Sequence, residues 1–308
     1  MTTALLTHAD CLNHVTPQGH PERVARLEHL LHALEPLDLK RVTAPMAAED
    51  DILRIHPESY LRELRALSPD TGLAQIDGDT FLSPGSLDAA FRGAGAMVRA
   101  VDLVLGGEVG NAFCATRPPG HHAEESTAMG FCLFGNAALG AKHALDHHGL
   151  SRVAVVDFDV HHGNGTQDIL WDERRALFIS SHQMPLWPGS GRADETGAHD
   201  NVLNMPLAPM TGGSEMSAAW EGQAFPRLRA FKPELIIISA GFDAHLDDPL
   251  ANLEWLEEDF AWLTGELCAL AAEICGGRIV STLEGGYDLN ALAASGKAHV
   301  EELMKAAQ

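Results

Sequence analysis

The chain has 308 residues, of which 45% are hydrophobic and 21% charged, and this composition excludes disorder over most of the chain. Asp and Glu outnumber Lys and Arg by 43 to 21, which gives a formal net charge of −22. Such a surface repels phosphate backbones, so we expect no direct nucleic-acid partner. No run reaches the roughly 18 apolar residues of a membrane span, so we expect no membrane partner either.

The N-terminus and the cysteines together predict a cytoplasmic protein. The first segment, MTTALLTHADCLNH, lacks a basic stretch followed by a long apolar one, which argues against a secretory signal. The five cysteines are odd in number and include no C-x-x-C pair, so we expect reduced thiols. Homo-oligomerisation stays open at this stage.

Apolar runs rich in β-branched residues alternate with helical stretches along the chain. The predicted strands are Ala4–Thr7, Ala112–Thr116, Val153–Phe158, Leu177–Ser181, Val202–Met205, Leu235–Ser239 and Ile279–Thr282. The predicted helices are Pro21–Leu34, Ser86–Leu105, Asn136–His147, Ser214–Phe231, Glu257–Cys275 and Leu289–Lys305. Continuously apolar strands are typical of parallel sheets covered on both faces, so we predict an α/β fold with a single three-layer domain over residues 1–308.

The segments without a predicted element are unusually long and hold most of the unusual residue clusters. They are residues 68–85, 117–135, 160–168, 183–200 and 240–256. Most of them follow a predicted strand, and ligands of open parallel sheets bind beyond the carboxyl ends of the strands. Long loops in compact α/β domains are usually functional, so we expect the site there.

A metal site is predicted where VVDFDVHHGNG follows a buried strand. Asp157, Asp159 and His161 are spaced i, i+2 and i+4, which puts their side chains on one face of an extended chain. Alternatively, the aspartates cap the next helix and the histidine only stabilises a turn, but the glycines of HHGNG favour a site. Asp243, after the strand LIIIS, is the natural third ligand. Three protein ligands leave a coordination position for water, as catalytic zinc requires.

Two further segments carry residues suited to acid/base chemistry. His121 and His122 follow the rigid sequence RPPG, and each ring needs a partner on its other nitrogen, for which Asp157 and Asn164 are the candidates. Tyr287 follows a double glycine in STLEGGYD, where its phenol could donate to a developing oxyanion. Alternatively, Tyr287 is half-buried with its hydroxyl in water.

Taken together, these segments resemble the zinc-dependent histone deacetylase superfamily, which includes bacterial deacetylase-like amidohydrolases and acetylpolyamine amidohydrolases. The matching motifs, in chain order, are GHPERVARL, RPPGHHA, GFC, DFDVHHGNGTQ, SAGFDA and EGGYD. The asparagine in HHGNG and the GFD sequence are similar to the class II branch. The resemblance implies an arginase/deacetylase fold with a mostly parallel sheet of about eight strands and one catalytic zinc ion.

The resemblance also implies a role for each residue of the site. The implied zinc ligands are Asp159, His161 and Asp243, and the implied catalytic residues are His121, His122, Tyr287, Asp157 and Asn164. In this assignment His122 is the general base and later the acid, His121 is its electrostatic partner and Tyr287 is the oxyanion donor. A structural potassium ion is implied near backbone oxygens of Asp157, Asp159 and His161, with Ser180 nearby. Arg26 either lines an inner channel for acetate or forms a surface salt bridge.

The implied substrate-binding residues are Phe131 and Trp187 as aromatic walls, Gly130 in GFC, Asp79 at the rim, and Leu250. We therefore expect a zinc-dependent hydrolase that removes an acetyl or other small acyl group from a small-molecule or peptide amine such as acetyl-lysine. Leu250 lies where a polyamine-selective relative carries a gatekeeping Glu, which argues against strict polyamine specificity. Substitutes for that Glu are Glu124, Asp247 or Asp248, although the last two are interpreted as solvated loop carboxylates.

Three alternatives to the acetyl-lysine hydrolase remain at this stage. One is an acetylpolyamine deacetylase, and another is a binuclear manganese ureohydrolase of the same fold. The third is a non-catalytic module that binds acyl-lysine without hydrolysing it. The retained tandem histidines and Tyr287 argue against that module.

Overall fold

A computed structural model describes all residues, 1–308, and contains ten strands and ten α-helices. The strands are β1 (Thr3–Thr7), β2 (Lys40–Thr43), β3 (Ala74–Gln75), β4 (Phe81–Leu82), β5 (Asn111–Cys114), β6 (Val153–Asp157), β7 (Ala176–Gln183), β8 (Val202–Leu207), β9 (Leu235–Ala240) and β10 (Ile279–Leu283). The helices are α1 (Val24–Leu34), α2 (Glu49–Ile52), α3 (Glu58–Leu67), α4 (Ser86–Leu105), α5 (Asn136–Asp146), α6 (Asn164–Leu170), α7 (Gly213–Ala219), α8 (Phe225–Phe231), α9 (Glu257–Cys275) and α10 (Leu289–Ala306).

Eight strands form one parallel sheet in the order β2-β1-β5-β10-β9-β6-β7-β8. The remaining two, β3 and β4, form a small antiparallel hairpin. The predicted α/β fold with about eight parallel strands is confirmed. None of the helices combines the length and apolar character needed to cross a lipid bilayer.

Both faces of the sheet are buried, which explains why its strands are apolar throughout. In β6, Ala154 and Val156 pack into one hydrophobic cluster with α1 and α7 to α10, whereas Val153 and Val155 pack into a second with α4 to α6. The period of two along the strand therefore divides the side chains between two helical layers. All five cysteines are buried and none forms a disulfide.

Several predictions differ from the structure: the segment 68–85, predicted without an element, contains β3 and β4, and three further differences have local reasons. Helix α1 begins at Val24 instead of Pro21, because Arg23 has an extended backbone. The segment predicted as a loop over 160–168 contains the start of α6. The helix predicted over Ser214–Phe231 contains a π-helical turn between α7 and α8. That turn precedes Pro226, which has no N–H to continue the α-helical hydrogen bonds.

The strand order brings the long loops together. The strands β5, β10, β9, β6 and β7 are neighbours in the sheet, and their carboxyl ends share one edge. The segments carrying the tandem histidines, the tyrosine, Asp243, the Asp/His set and Trp187 follow these five strands in that same order. Residues that are up to 166 positions apart in sequence therefore meet at this edge, as the sequence analysis expected.

Candidate active site

Three predicted ligands meet at the carboxyl ends of β6 and β9. The Nδ1 atom of His161 lies 3.2 Å from Oδ1 of Asp159 and 3.1 Å from Oδ2 of Asp243. Both carboxylates are fully buried, and all three side chains form one compact group of potential ligand atoms. Although burial disfavours a charged imidazole, hydrogen bonds to the two carboxylates raise the pKa of His161 to about 10. The group therefore carries a strong negative field suited to a cation.

The backbone holds these carboxylates in fixed orientations. The N–H groups of Gly285 and Val160 donate to Asp159 and Asp243 at 2.8 and 2.9 Å. A Cβ atom at Gly241 would collide with Asp159, and one at Gly285 would collide with both carboxylates. Two carboxylates and one imidazole in such a glycine-lined cradle fit a divalent ion of borderline softness, as zinc is.

The tandem histidines have the predicted partners. His121 donates through Nδ1 to Oδ2 of Asp157 at 3.0 Å, and Nδ1 of His122 lies 2.8 Å from Oδ1 of Asn164. The amide of Asn164 is oriented by Glu124, because its Nδ2 donates to that carboxylate at 2.8 Å. Since Oδ1 can only accept, Nδ1 of His122 carries the proton and Nε2 keeps its lone pair.

The two rings differ in charge although their centroids are only 3.9 Å apart. Burial disfavours charge on His121, yet the carboxylates of Asp159 and Asp157 hold its pKa well above the usual range. Burial and the neighbouring imidazoles of His121 and His161 hold the pKa of His122 well below it. The pKa values of the two rings are therefore shifted in opposite directions, which favours charge on His121 and disfavours it on His122.

Tyr287 lies at the base of the site and is 7% exposed, so the half-buried alternative is wrong. Its backbone N–H donates to Asp248 at 2.7 Å, and burial followed by the charge of Asp243 raises the pKa of its phenol well above the usual range. Asp248 is itself buried and also accepts from the N–H of Leu250 at 3.0 Å. The interpretation of Asp248 as a solvated carboxylate is therefore wrong, whereas Asp247 is exposed.

Arg26 is fully buried behind this tyrosine. Its guanidinium lies 4.8 Å from the ring centroid of Tyr287 and donates to the carbonyls of Gly286 and Glu284. It also pairs with the buried Glu22 at 3.1 Å. The surface-salt-bridge alternative for Arg26 is wrong, because the side chain is fully buried. The acceptors around its guanidinium compensate the hydration that the group loses on burial.

Sequence reasoning missed a buried carboxylate that supports the tandem histidines. Oε2 of Glu284 accepts from the N–H groups of Gly120 and His121 at 2.7 and 3.1 Å, and its Oε1 accepts from Ser239. Burial raises the pKa of Glu284 to about 7. Its place beside EGGYD, directly after a strand, was the signal that could have identified it.

A cavity of about 340 Å³ leads from the surface to His122, His161 and Tyr287. All five predicted substrate-binding residues line it: Gly130, Phe131, Trp187, Asp79 and Leu250. The ring of Trp187 contacts that of His122 at a centroid distance of 4.6 Å. On the other wall the ring of Phe131 lies 5.9 Å from that of Tyr287. The cavity therefore ends at the acid/base and oxyanion candidates.

Five other lining residues were not assigned from the sequence: His20, Pro21, Gly78, Phe81 and Leu186. The ring of His20 packs against Phe131 and Phe81 at centroid distances of 4.8 and 5.7 Å. Its Nε2 also contacts the backbone oxygen of Asp79 at 2.9 Å. Its place in GHPERVARL was the signal that could have identified it.

Two other predicted residues lie close to the site but outside the cavity. Glu124 is bonded to Asn164 and does not line the cavity, so it cannot replace a carboxylate at the mouth. Ser180 is the register partner of Asp157 in the sheet, and its hydroxyl contacts Nδ1 of His182 at 2.9 Å. The potassium assignment, in which Ser180 takes part, stays a prediction.

Comparison with known proteins agrees with this geometry. The family described as histone deacetylase domain matches residues 20–303. A histone deacetylase-like amidohydrolase of Pseudomonas aeruginosa is 40% identical over 293 residues, covering 92% of this chain and 77% of the relative. A probable deacetylase of Archaeoglobus fulgidus is 38% identical over 298 residues, covering 94% and 82%. The crystal structure of the HDA15 HD domain matches with a TM-score of 0.91 and 32% identity, covering 97% of this chain and 90% of that one. This chain belongs to the histone deacetylase family.

Proposed function

We propose that this protein is a zinc-dependent amidohydrolase that removes an acetyl or another small acyl group from an amine such as the side chain of acetyl-lysine. The observation that carries the proposal is the common location of three groups at the base of one cavity. These groups are the Asp/His/Asp ligand set, the tandem histidines with opposed pKa shifts, and Tyr287. Family membership and relatives named as deacetylases support the same reaction.

In this proposal Asp159, His161 and Asp243 hold the zinc ion, since a mixed carboxylate and imidazole set suits a borderline cation. When bound, zinc supplies a Lewis acid that polarises the amide carbonyl and makes water more acidic. We also propose a structural potassium ion, by resemblance, at the backbone oxygens of Asp157, Asp159 and His161 near Ser180.

The residues of the chain then divide the proton transfers between them. His122 accepts the proton of the attacking water at Nε2, because Asn164 keeps the other proton on Nδ1. His121 stays charged beside Asp157 and stabilises negative charge that develops nearby. The hydroxyl of Tyr287 donates to the developing oxyanion. His122, now protonated, returns its proton to the leaving amine.

The cavity walls favour a linear acyl-amine substrate. Phe131 and Trp187 can hold an apolar methylene stem between them, which contributes about 25 cal/mol per Å² buried. The three carboxylates considered as guards for a polyamine, Glu124, Asp247 and Asp248, all lie outside the cavity lining. This favours acetyl-lysine or a similar small amide over strict polyamine specificity. A cytoplasmic location and the lack of nucleic-acid and membrane partners stay predictions.

A substrate panel with the zinc-loaded enzyme tests the proposal. The panel contains acetyl-lysine peptides, longer acyl-lysine peptides and acetylated polyamines. We expect turnover of at least one acetyl-lysine amide, and its loss in His122→Ala with the zinc content unchanged. Binding of the whole panel without any turnover would contradict the proposal and favour a non-catalytic acyl-lysine binding module.

A further inference from the structure

A second cluster of metal-ligating side chains lies away from the cavity, at the ends of α4 and α5. It consists of Asp102 on α4, His143 on α5, and His147 and His148 directly after α5. Each residue offers one atom that can bind a metal ion, and these four atoms all lie within 4.8 Å of one another. We refer to these four residues as the α4/α5 cluster.

The contacts within the α4/α5 cluster converge on one carboxylate oxygen. Oδ1 of Asp102 lies 2.8 Å from Nε2 of His143 and 2.8 Å from Nε2 of His148. The rings of His143 and His147 stack at 4.7 Å, as their spacing of four residues on a helix allows. The other ring nitrogen of His143, Nδ1, is buried and has no hydrogen-bond partner. Two imidazoles therefore share one oxygen of a partly exposed carboxylate, and the ring of His147 packs against one of them.

This arrangement suits a transition-metal ion. Imidazole nitrogens bind zinc, nickel and copper, and two histidines four residues apart on a helix form a recurrent half-site for zinc. Zinc bonds of about 2.0–2.1 Å in a tetrahedron place ligand atoms about 3.3 Å apart. The 2.8 Å contacts need to open by only about 0.5 Å, and the exposed ring of His147 is free to close the remaining distance.

We propose that Asp102, His143, His147 and His148 form a second binding site, for a divalent transition-metal ion such as zinc. The site joins α4 to α5, the two long helices on one face of the sheet. An ion there would cross-link these helices and stabilise the fold without taking part in the reaction.

The two sites lie at opposite edges of the sheet. Helix α5 leads into the start of β6, whereas Asp159 and His161 follow the end of that strand. A five-residue strand alone spans about 16 Å. Two ions per chain would therefore not indicate a binuclear reaction centre, and metal content alone cannot separate a deacetylase from a ureohydrolase of the same fold.

Zinc stoichiometry in matched variants tests this site independently of the proposed function. The metal-free chain is dialysed against excess zinc chloride at pH 7.5 and its bound zinc is measured after removal of the free ion. We expect two ions in the wild type and one in the double variant His147→Ala/His148→Ala. The variant Asp243→Ala should keep one ion, which is the ion of the α4/α5 cluster, and its melting temperature should rise with added zinc.

The double variant His29→Ala/His32→Ala is the matched control. These two α1 histidines are exposed like His147 and His148 but belong to no cluster of three ligands, so their loss should leave two ions. The double variant at His147 and His148 should also keep wild-type turnover once the reaction centre is loaded. A single zinc ion in the wild type, or two ions in both double variants, would overturn the second site.

Discussion

The two ends of the parallel sheet carry histidine and aspartate clusters of similar composition but different construction. At the carboxyl end, Asp159 and Asp243 are fully buried and fixed by backbone N–H donors. At the opposite end, the side chain of Asp102 is 32% exposed, and His147 and His148 lie at the surface. Burial and backbone support, and not residue type, therefore separate the proposed reaction centre from the proposed surface metal site. Preorganised charges in a dry site act more strongly than the same charges in water.

Removing one ligand of the buried set should give the largest effect. We expect Asp243→Ala to lose zinc from the reaction centre and to reduce turnover by more than about 10⁴-fold, because two protein ligands no longer hold the ion that activates water. Turnover and zinc content per chain measure this directly. Full zinc occupancy at the reaction centre of Asp243→Ala would show that Asp243 is not a ligand. The control His147→Ala should hydrolyse the substrate at the wild-type rate.

The next effect concerns residues that act on protons and leave the zinc in place. His122→Ala and Tyr287→Phe should each reduce turnover by about 10²–10⁴-fold, as expected for a lost general base or oxyanion donor. Zinc content should stay at the wild-type value in both variants. Near-normal turnover in either variant would refute the role of that residue, and zinc loss would indicate a structural role instead.

Protonation of a buried histidine should destabilise the fold, whereas protonation of an exposed one should not. His56 is a buried histidine that tests this difference. It accepts from the N–H of Gly135 through Nε2 and contacts the carbonyl of Glu125 through Nδ1, and burial lowers its pKa to about 4. In the unfolded chain His56 has a pKa near 6.5, so it binds a proton at a higher pH there than in the folded chain. The free energy of unfolding therefore falls as the pH drops from about 6.5 towards 4. Between pH 7.5 and 5.0 this amounts to a loss of about 2 kcal/mol.

Urea unfolding of the wild type and His56→Gln at both pH values isolates this contribution. Between pH 7.5 and 5.0 the free energy of unfolding should fall by about 2 kcal/mol less in the variant than in the wild type, since the glutamine side chain does not titrate. The exposed pair His29→Ala/His32→Ala is the control and should follow the wild type. Equal losses in His56→Gln and the wild type would show that His56 does not resist protonation in the folded chain.

The parts of the structure that could be predicted from the sequence are those that leave a local pattern. Helices α4 and α9 have the predicted bounds, because each is a long periodic stretch. Strand β2, with the sequence KRVT, was missed because it is a largely exposed edge strand with little apolar character. Buried charges left no such pattern. Asp248 and Arg26 have partners distant in sequence, Tyr287 and Glu284, in addition to near ones, and the distant partners become visible only in the fold.

A smaller effect is expected at Gly130, where a single methyl group would enter the cavity. A Cβ atom there would lie 2.5 Å from Trp187 and 2.6 Å from His122. Relief of these contacts requires Trp187 or His122 to shift, and misplacement of a reacting group can cost about 10²-fold in rate, so Gly130→Ala should lower kcat/KM by about 10–100-fold. The matched control is Gly149→Ala, beside the α4/α5 cluster. Both glycines have positive φ angles, of 56° and 70°, but no atom lies within 4 Å of a Cβ atom at Gly149.

Both alanine variants should lose about 1 kcal/mol of folding stability, because both replace a glycine in a left-handed conformation. Gly130→Ala should lose a further ~1–3 kcal/mol through its close contacts with Trp187 and His122. Only Gly130→Ala should lose activity. Equal activity of the two variants would show that the positions of Trp187 and His122 next to Gly130 do not matter for the reaction.

The smallest effect concerns the selectivity between acetyl-lysine and acetylspermidine, which depends on the residues at the mouth of the cavity. Asp79 is the only acidic residue that lines the cavity, and burial together with the charge of Asp77 raises its pKa. An ion pair between this half-exposed carboxylate and a polyamine ammonium should contribute only about 0–1 kcal/mol. We therefore expect kcat/KM for an acetyl-lysine amide to equal or exceed that for acetylspermidine at fixed ionic strength.

Asp79→Asn should lower kcat/KM for acetylspermidine by no more than about fivefold, which corresponds to 1 kcal/mol. Asp247→Asn is the control and should leave kcat/KM unchanged for both substrates, since Asp247 is exposed and lies outside the cavity. A preference of the wild type for the polyamine above about a hundredfold corresponds to 2.7 kcal/mol of differential transition-state binding. An exposed pair at Asp79 is too weak to supply that difference, so such a preference would contradict the acetyl-lysine proposal and require a carboxylate to enter the mouth when substrate binds.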